Sequence, residues 1–130
     1  AEEIRVLDDV FFSVRDDGRG EDDLILLGDF NADDQHLDEL GRVSGMMAAI
    51  TGMPTNTRGT QQYDNLVFQL PATSEYAGRN GVLDFLREYN LTLEQALLVS
   101  DHLPVWAEFT MHEGGGTPAI AASDASPDVR

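Results

Sequence analysis

Asp29 and Asn31 stand two positions apart in "GDFNAD", directly after the apolar run Leu24–Leu27. Side chains at i and i+2 share one face of an extended chain. A carboxylate and a carboxamide would therefore project together from the end of a core strand. That arrangement suits a metal ion, a water or a phosphate. A second polar cluster, Tyr63-Asp64-Asn65, opens the apolar stretch Leu66–Phe68. A third, Ser100-Asp101-His102, directly precedes the alternating segment Leu103–Phe109. Each cluster alone has an ordinary explanation. A strand-end Asp more often forms a turn or caps a helix than binds a ligand. An Asp-His pair is commonly a surface feature, and Tyr-Asp-Asn can be a turn. Three such clusters in order, each beside a strand, ask for a common site.

The elements that must position them can be read from hydrophobic spacing. Ile4, Leu7, Phe11 and Val14 recur at steps of three and four, the stripe of an amphipathic helix. Gly18 and Gly20 end it. No capping residue precedes it, so the pattern predicts a helix that belongs to something longer. Leu24–Leu27 is a buried strand. Asp33 and Asp34 are expected to cap a short helix near "DQHLDELGR". Gly45–Ile50 reads as a strand and Thr51–Gln62 as a loop rich in Gly, Pro, Asn and hydroxyl residues. Tyr63–Leu70 is a strand, and Pro71–Gly81 is expected to be a loop. The run Val82–Val99 starts irregularly and becomes helical over Thr92–Leu98, with Thr92 and Gln95 spaced as a capping box. Leu103, Val105, Ala107 and Phe109 face one way along a last strand. From Glu113 the chain is rich in Gly, Ala, Ser and Pro without periodicity. The composition predicts a domain over 1–111 and a disordered tail over 112–130. Strands interleaved with helices give an α/β (α+β) class: one mixed, largely antiparallel sheet with helices on one face and no cover for the other.

Composition narrows the function classes. The 130 residues suffice for one domain with a core, and a hydrophobic content of 42% is ordinary for a globular chain. No apolar run approaches the length of a membrane span. No signal peptide is visible. The absence of cysteine excludes disulfides and thiolate metal sites but leaves the compartment open. Asp and Glu number 24 against eight arginines and no lysine, for a net charge of −16. A free nucleic-acid binder would carry a basic footprint, which this chain lacks. The excess acid reads as a solvated surface, with some carboxylates able to bind divalent cations that meet a phosphate.

Taken together, "GDFNAD", "YDNLVF" and "SDHLPV" resemble three signature segments of the endonuclease/exonuclease/phosphatase superfamily, in order. The opening helix and the run "LDFLREYNLTLEQALLVSDHLPV" resemble its deoxyribonuclease-I-like branch, over roughly Ala1–Phe109. The resemblance implies a metal-dependent phosphodiesterase. Asp29 resembles the carboxylate that orients or activates the attacking water. Asn31 resembles the amide that hydrogen-bonds the scissile phosphate. Asp101 resembles a ligand of the divalent metal, Mg²⁺ or Mn²⁺, with Ca²⁺ as a further option. His102 resembles the imidazole that contacts the phosphate, and Asp64 the carboxylate that orients it. Arg58, in the loop before the second motif, is a candidate substrate contact. His36 reads as solvent-facing and His112 as bordering the tail, neither as catalytic, and Tyr89 and Trp106 read as packing residues.

The chemistry agrees with those roles. Phosphodiester hydrolysis needs in-line attack by water and neutralisation of charge on the phosphoryl oxygens. A hard cation such as Mg²⁺ prefers carboxylate oxygens and keeps several waters. An imidazole with an unperturbed pKa of ~6.5 switches protonation near neutrality, and a carboxylate partner would fix its tautomer. Asp64 can be that partner if its strand neighbours the last one.

The resemblance also implies what is missing. The family fold is a four-layer αββα sandwich, and this chain matches its C-terminal half. The Asn, the metal-binding Glu and the further His of the other half are absent. The constellation is therefore half built, and the chain alone is expected to be inactive. A sheet face made to meet another sheet should expose several hundred Å² of apolar surface, more than monomers usually tolerate. The missing half or a second copy of the chain, as a homodimer, is expected to cover it. DNA is one possible phosphoester substrate. A phosphatase or lipid phosphodiesterase on the same scaffold, and a non-catalytic assembly module, are the other readings.

Overall fold

The computed structural model describes residues 2–112. The chain opens with a 3₁₀ turn, Glu3–Val6, that runs into helix α1, Leu7–Arg15. Ile4 and Phe11 are buried and Leu7 packs beside them, as the stripe requires. Val14, the fourth member, stays at the rim with 40% exposure. The helix ends where the Asp16 N–H meets the Phe12 carbonyl at 2.9 Å. Gly18 and Gly20 then turn the chain away at φ of +94° and +79°, a region that side-chain-bearing residues avoid.

Strand β1, Ile25–Asp29, pairs antiparallel with β3, Asp64–Gln69, and β2, Met46–Ala48, pairs with the other edge of β3. Alternation divides this three-stranded sheet. Leu26, Val67 and Ala48 face the helices, where Ile4, Phe11 and Leu40 are buried against them. Each such fully buried aliphatic or aromatic side chain contributes about 1.5–3 kcal/mol. Ile25, Leu27, Leu66 and Phe68 share the opposite face, together with Asp29 and Asp64.

Helix α2, Glu39–Arg42, begins later than the sequence suggests, with Asp38 at its N-terminal boundary. Asp33 does not cap it. Its carboxylate instead closes a local turn, accepting the Gln35 N–H at 2.9 Å and meeting His36 Nδ1 at 2.6 Å. Asp34 accepts the Gly52 N–H and so ties that turn to the following loop.

The stretch 71–81, expected as loop, is largely strand. Strand β4, Tyr76–Val82, pairs antiparallel with β5, Val105–Phe109, across an irregularity between Tyr76 and Asn80. Its glycines hide it from a propensity reading. One of them serves packing: Gly81 lies opposite Trp106, and a Cβ there would come within 2.9 Å of the indole. The five strands therefore form two antiparallel ladders, β1-β3-β2 and β4-β5, and not one continuous sheet. The α+β class itself holds. Aromatic rings bridge the ladders, with Phe68 at 4.9 Å from Tyr76 and 5.4 Å from Phe109.

Two short helices complete the fold. Asp84 precedes α3, Phe85–Glu88, and α4 spans Leu93–Val99. The capping box forms as expected: Thr92 Oγ1 accepts the Gln95 N–H at 3.1 Å, and Gln95 Oε1 accepts the Thr92 N–H at 2.9 Å. Such a cap contributes about 1 kcal/mol. Phe85, Ala96 and Leu103 are buried together as a second small core. No helix among the described residues is long and apolar enough to cross a membrane. Of the tail expected over 112–130, only His112 is among the described residues, and it is exposed.

Candidate active site

Asp29 and Asp64 end and begin their strands directly opposite one another, in the register that pairs Leu27 with Leu66. Two carboxylates in this relation repel. The ring of His102 lies between them. Its Nδ1 is 2.9 Å from Asp64 Oδ2, and its Nε2 is 3.8 Å from Asp29 Oδ2. An ionised carboxylate only accepts, so the short contact is an Nδ1–H donated to Asp64. That bond leaves Nε2 as the working nitrogen, aimed toward Asp29 and solvent.

The surroundings favour the imidazolium form. His102 has its pKa raised above the ordinary value, first by the hydrogen bond to Asp64, against the opposing effect of burial. The charges of Asp64, Asp29 and Asp101 act in the same upward direction. The ring of Tyr63 flanks the imidazole with centroids 5.9 Å apart.

Asn31 is brought to the same rim. Phe30 turns inward and is buried, its N–H donating to the Tyr63 carbonyl at 2.7 Å. Asn31 then takes φ of +53°, and its N–H donates to Asp29 Oδ1 at 2.8 Å. The bond fixes one oxygen of Asp29 and leaves the other facing His102. Asn tolerates this left-handed backbone better than most residues. Asn31 itself is exposed.

Asp101 follows α4 and is exposed, next in sequence to His102. Its backbone carbonyl accepts the Thr57 N–H at 2.9 Å. Among the described residues its carboxylate has no hydrogen bond, which leaves hard oxygen donors open to a divalent cation. Ligand atoms of Asp29, Asp64 and His102 also lie within 4.8 Å of one another. Asp64 Oδ2 and His102 Nδ1 are already bonded to each other, so an ion shared by those three would compete with that bond. Arg58 is exposed in the same loop, and among the described residues its guanidinium forms no ion pair.

The sequence did not point to Thr55 or Thr57, whose hydroxyls meet Asp64 and the Ser100 carbonyl at 2.6 and 2.8 Å. Both lie in a stretch with no periodicity, and only their burial sets them apart. His36 is exposed, as expected, and so is His112. Trp106 packs over Gly81, but Tyr89 is 69% exposed and does not belong to the core. It borders a groove of about 520 Å³ with Leu83, Phe85, Leu103 and Pro104, into which His102 also opens.

No family model matches the chain. Curated relatives do. It is 35% identical over 118 residues to deoxyribonuclease-1-like 1 of Sus scrofa, a match covering 83% of the chain and 37% of the relative. The same protein of Homo sapiens is 34% identical over 121 residues, covering 85% of the chain and 40% of the relative. That of Rattus norvegicus is 32% identical over 126 residues, covering 89% and 40%. The chain thus spans about two fifths of the length of the curated relatives it matches. With the ordered motifs and the α+β fold, these similarities support the chain as a fragment of the deoxyribonuclease-I-like branch.

Proposed function

We propose that this chain carries half of the active site of a divalent-metal-dependent phosphodiesterase of endonuclease type. The observation that supports it most is the His102 ring held between Asp64 and Asp29 at 2.9 and 3.8 Å. In this reading Asp64 fixes the ring, and Nε2 of the imidazolium meets a phosphoryl oxygen, countering charge that grows during attack. Asp29, through the oxygen that faces His102, orients the attacking water and takes its proton. The Asn31 carboxamide donates to another phosphoryl oxygen. Asp101 would hold Mg²⁺ or Mn²⁺, and that cation would supply further neutralisation of the phosphoryl charge. Arg58 would add a positive charge on the substrate side.

The relatives are named deoxyribonuclease-1-like, which makes DNA the first substrate to test. The net charge of −16 favours a second reading, a small or lipid-type phosphoester that does not bring a long polyanion to an acidic surface. Leu27, 66% exposed on the face that carries Asp29 and Asp64, supports a partner layer there, either the other half of a sandwich or a second copy. In this reading that layer would supply a further metal-binding Glu and a further His.

Plasmid nicking with Mg²⁺ tests the proposal in two forms of the protein. The chain alone is expected to nick little or not at all, and a longer form containing the partner half is expected to nick and to lose that activity on His102→Ala. Nicking by the longer form that survives His102→Ala would overturn the assignment.

A further inference from the structure

We propose that Thr55 is the positioning residue of the Asp64–His102 pair, acting through its hydroxyl. Thr55 is fully buried. Its Oγ1 donates to Asp64 Oδ2 at 2.6 Å and accepts the N–H groups of Tyr63 and Asp64 at 2.9 and 3.0 Å. A hydroxyl has one proton and two acceptor lone pairs. Both lone pairs are taken by backbone donors whose positions are set by β3, so the remaining proton has one direction left, toward Asp64. The same carboxylate oxygen receives His102 Nδ1 at 2.9 Å. Oδ2 is therefore held between two donors, one from the loop and one from the imidazole.

The backbone around Thr55 grips the other side of the pair. The Thr55 carbonyl accepts the Leu103 N–H at 2.7 Å, and the Thr57 N–H reaches the Asp101 carbonyl at 2.9 Å. Asn56 and His102 form an isolated antiparallel bridge between these contacts. One short segment thus sets the place of His102 through its main chain and the aim of Asp64 through one hydroxyl. Without that hydroxyl, Asp64 can rotate and the Nδ1–H bond loses its fixed acceptor. The neutral ring then loses its preference for carrying the proton on Nδ1 and the orientation that keeps Nε2 toward Asp29. This inference rests on the proposed role of His102 only for its relevance to hydrolysis; the placement of the ring stands apart from turnover.

Long-range ¹⁵N–¹H spectra of the histidine rings test it in the 130-residue chain, where only three histidines must be assigned. Spectra are taken at a pH where the His102 ring is neutral. The wild type is expected to show the Nδ1–H tautomer at His102. Thr55→Val, which keeps the volume and removes the hydroxyl, is expected to lose that preference, and Thr55→Ser to restore it. A His102 tautomer unchanged by Thr55→Val would overturn the proposal, as would a Thr55→Ser spectrum that matches the valine variant. If Thr55→Val does not fold, the wild type still decides. A slowly exchanging Thr55 hydroxyl proton with cross-relaxation to Asp64 supports the inference, and its absence overturns it. Because the readout needs no substrate, absence of nuclease activity would count against the proposed function and leave this placement standing.

Discussion

Asp29 and Asp64 face one another across the β1–β3 register, and a single imidazole fills the space between their carboxylates. Like charges opposite each other in a sheet are destabilising unless something of opposite sign intervenes. His102 is that intervening group. The strain of the carboxylate pair and the elevated basicity of the ring are two sides of one interaction.

A pH dependence of stability follows with a definite sign. His102 binds its proton more tightly in the fold than the ordinary imidazole value of ~6.5 allows. Its contribution is fully present below that unfolded-state value and is lost as the pH rises through the higher folded one. The stability gap between wild type and Asp64→Asn is therefore expected to be widest in mild acid and to narrow on the alkaline side. Urea unfolding at a series of pH values measures it, and a gap that stays constant would contradict the coupling.

Activity should respond to the same pair. In a catalytically complete form, Asp64→Asn and His102→Ala are each expected to lower kcat by about 10²–10⁴-fold, the usual scale for a positioned acid–base group. The double variant should cost little more than the worse single one, because the two residues act as a unit. Additive losses in steady-state kinetics would separate them.

We propose Asp101 as a ligand of the divalent metal. Asp101→Asn is expected to weaken Mg²⁺ or Mn²⁺ binding in the complete protein while leaving the fold intact, since its side chain is exposed. Titration calorimetry with the metal alone measures the loss. Unchanged affinity would move the ligand role to other carboxylates.

The aliphatic face around Leu27 gives a test of association. Leu27 is 66% exposed, so Leu27→Glu should leave the chain's thermal stability nearly unchanged. If that face pairs with a second copy, the same change should dissociate the dimer in sedimentation velocity. A wild-type chain that remains monomeric across concentration would remove the homodimer reading.

Gly81→Ala tests the register of the second ladder. The added methyl would approach the Trp106 ring to 2.9 Å, an overlap the strands must relieve by shifting. Overpacking of this kind costs about 1–3 kcal/mol. The melting temperature should fall and the Trp106 emission should change. In a Trp106→Ala background the same substitution should be close to neutral.

Much of the site could be read in the sequence because its motifs are local. Asp29 ends β1 with Asn31 two residues beyond it, Asp101 and His102 are adjacent, and Asp64 opens a strand whose apolar run is plain. The Thr92–Gln95 cap was legible for the same reason, since a capping box is written within four positions. Strand β4 was not, because Gly78 and Gly81 carry no β signal and the segment becomes a strand by pairing with β5. Asp33 and Asp34 read as caps of α2 because a turn and an N-cap ask for the same residue types, yet in the fold they hold the turn and loop contacts before and after it. Thr55 was invisible for a deeper reason. Its importance comes from partners on either side of it in the fold, at Asp64 and Leu103, and no window of sequence contains them all.

The Asp64–His102 contact also spans a seam, since Asp64 belongs to the first ladder and His102 leads into the second. The ladders meet through the Phe68–Phe109 ring contact and the threonine segment that reaches across to Ser100, Asp101 and Leu103. A copy in which β4 and β5 have come undocked cannot keep the imidazole in register, however well its first sheet survives. The pairing is thus a certificate of assembly: the molecule holds that geometry only when both halves of its own architecture have closed.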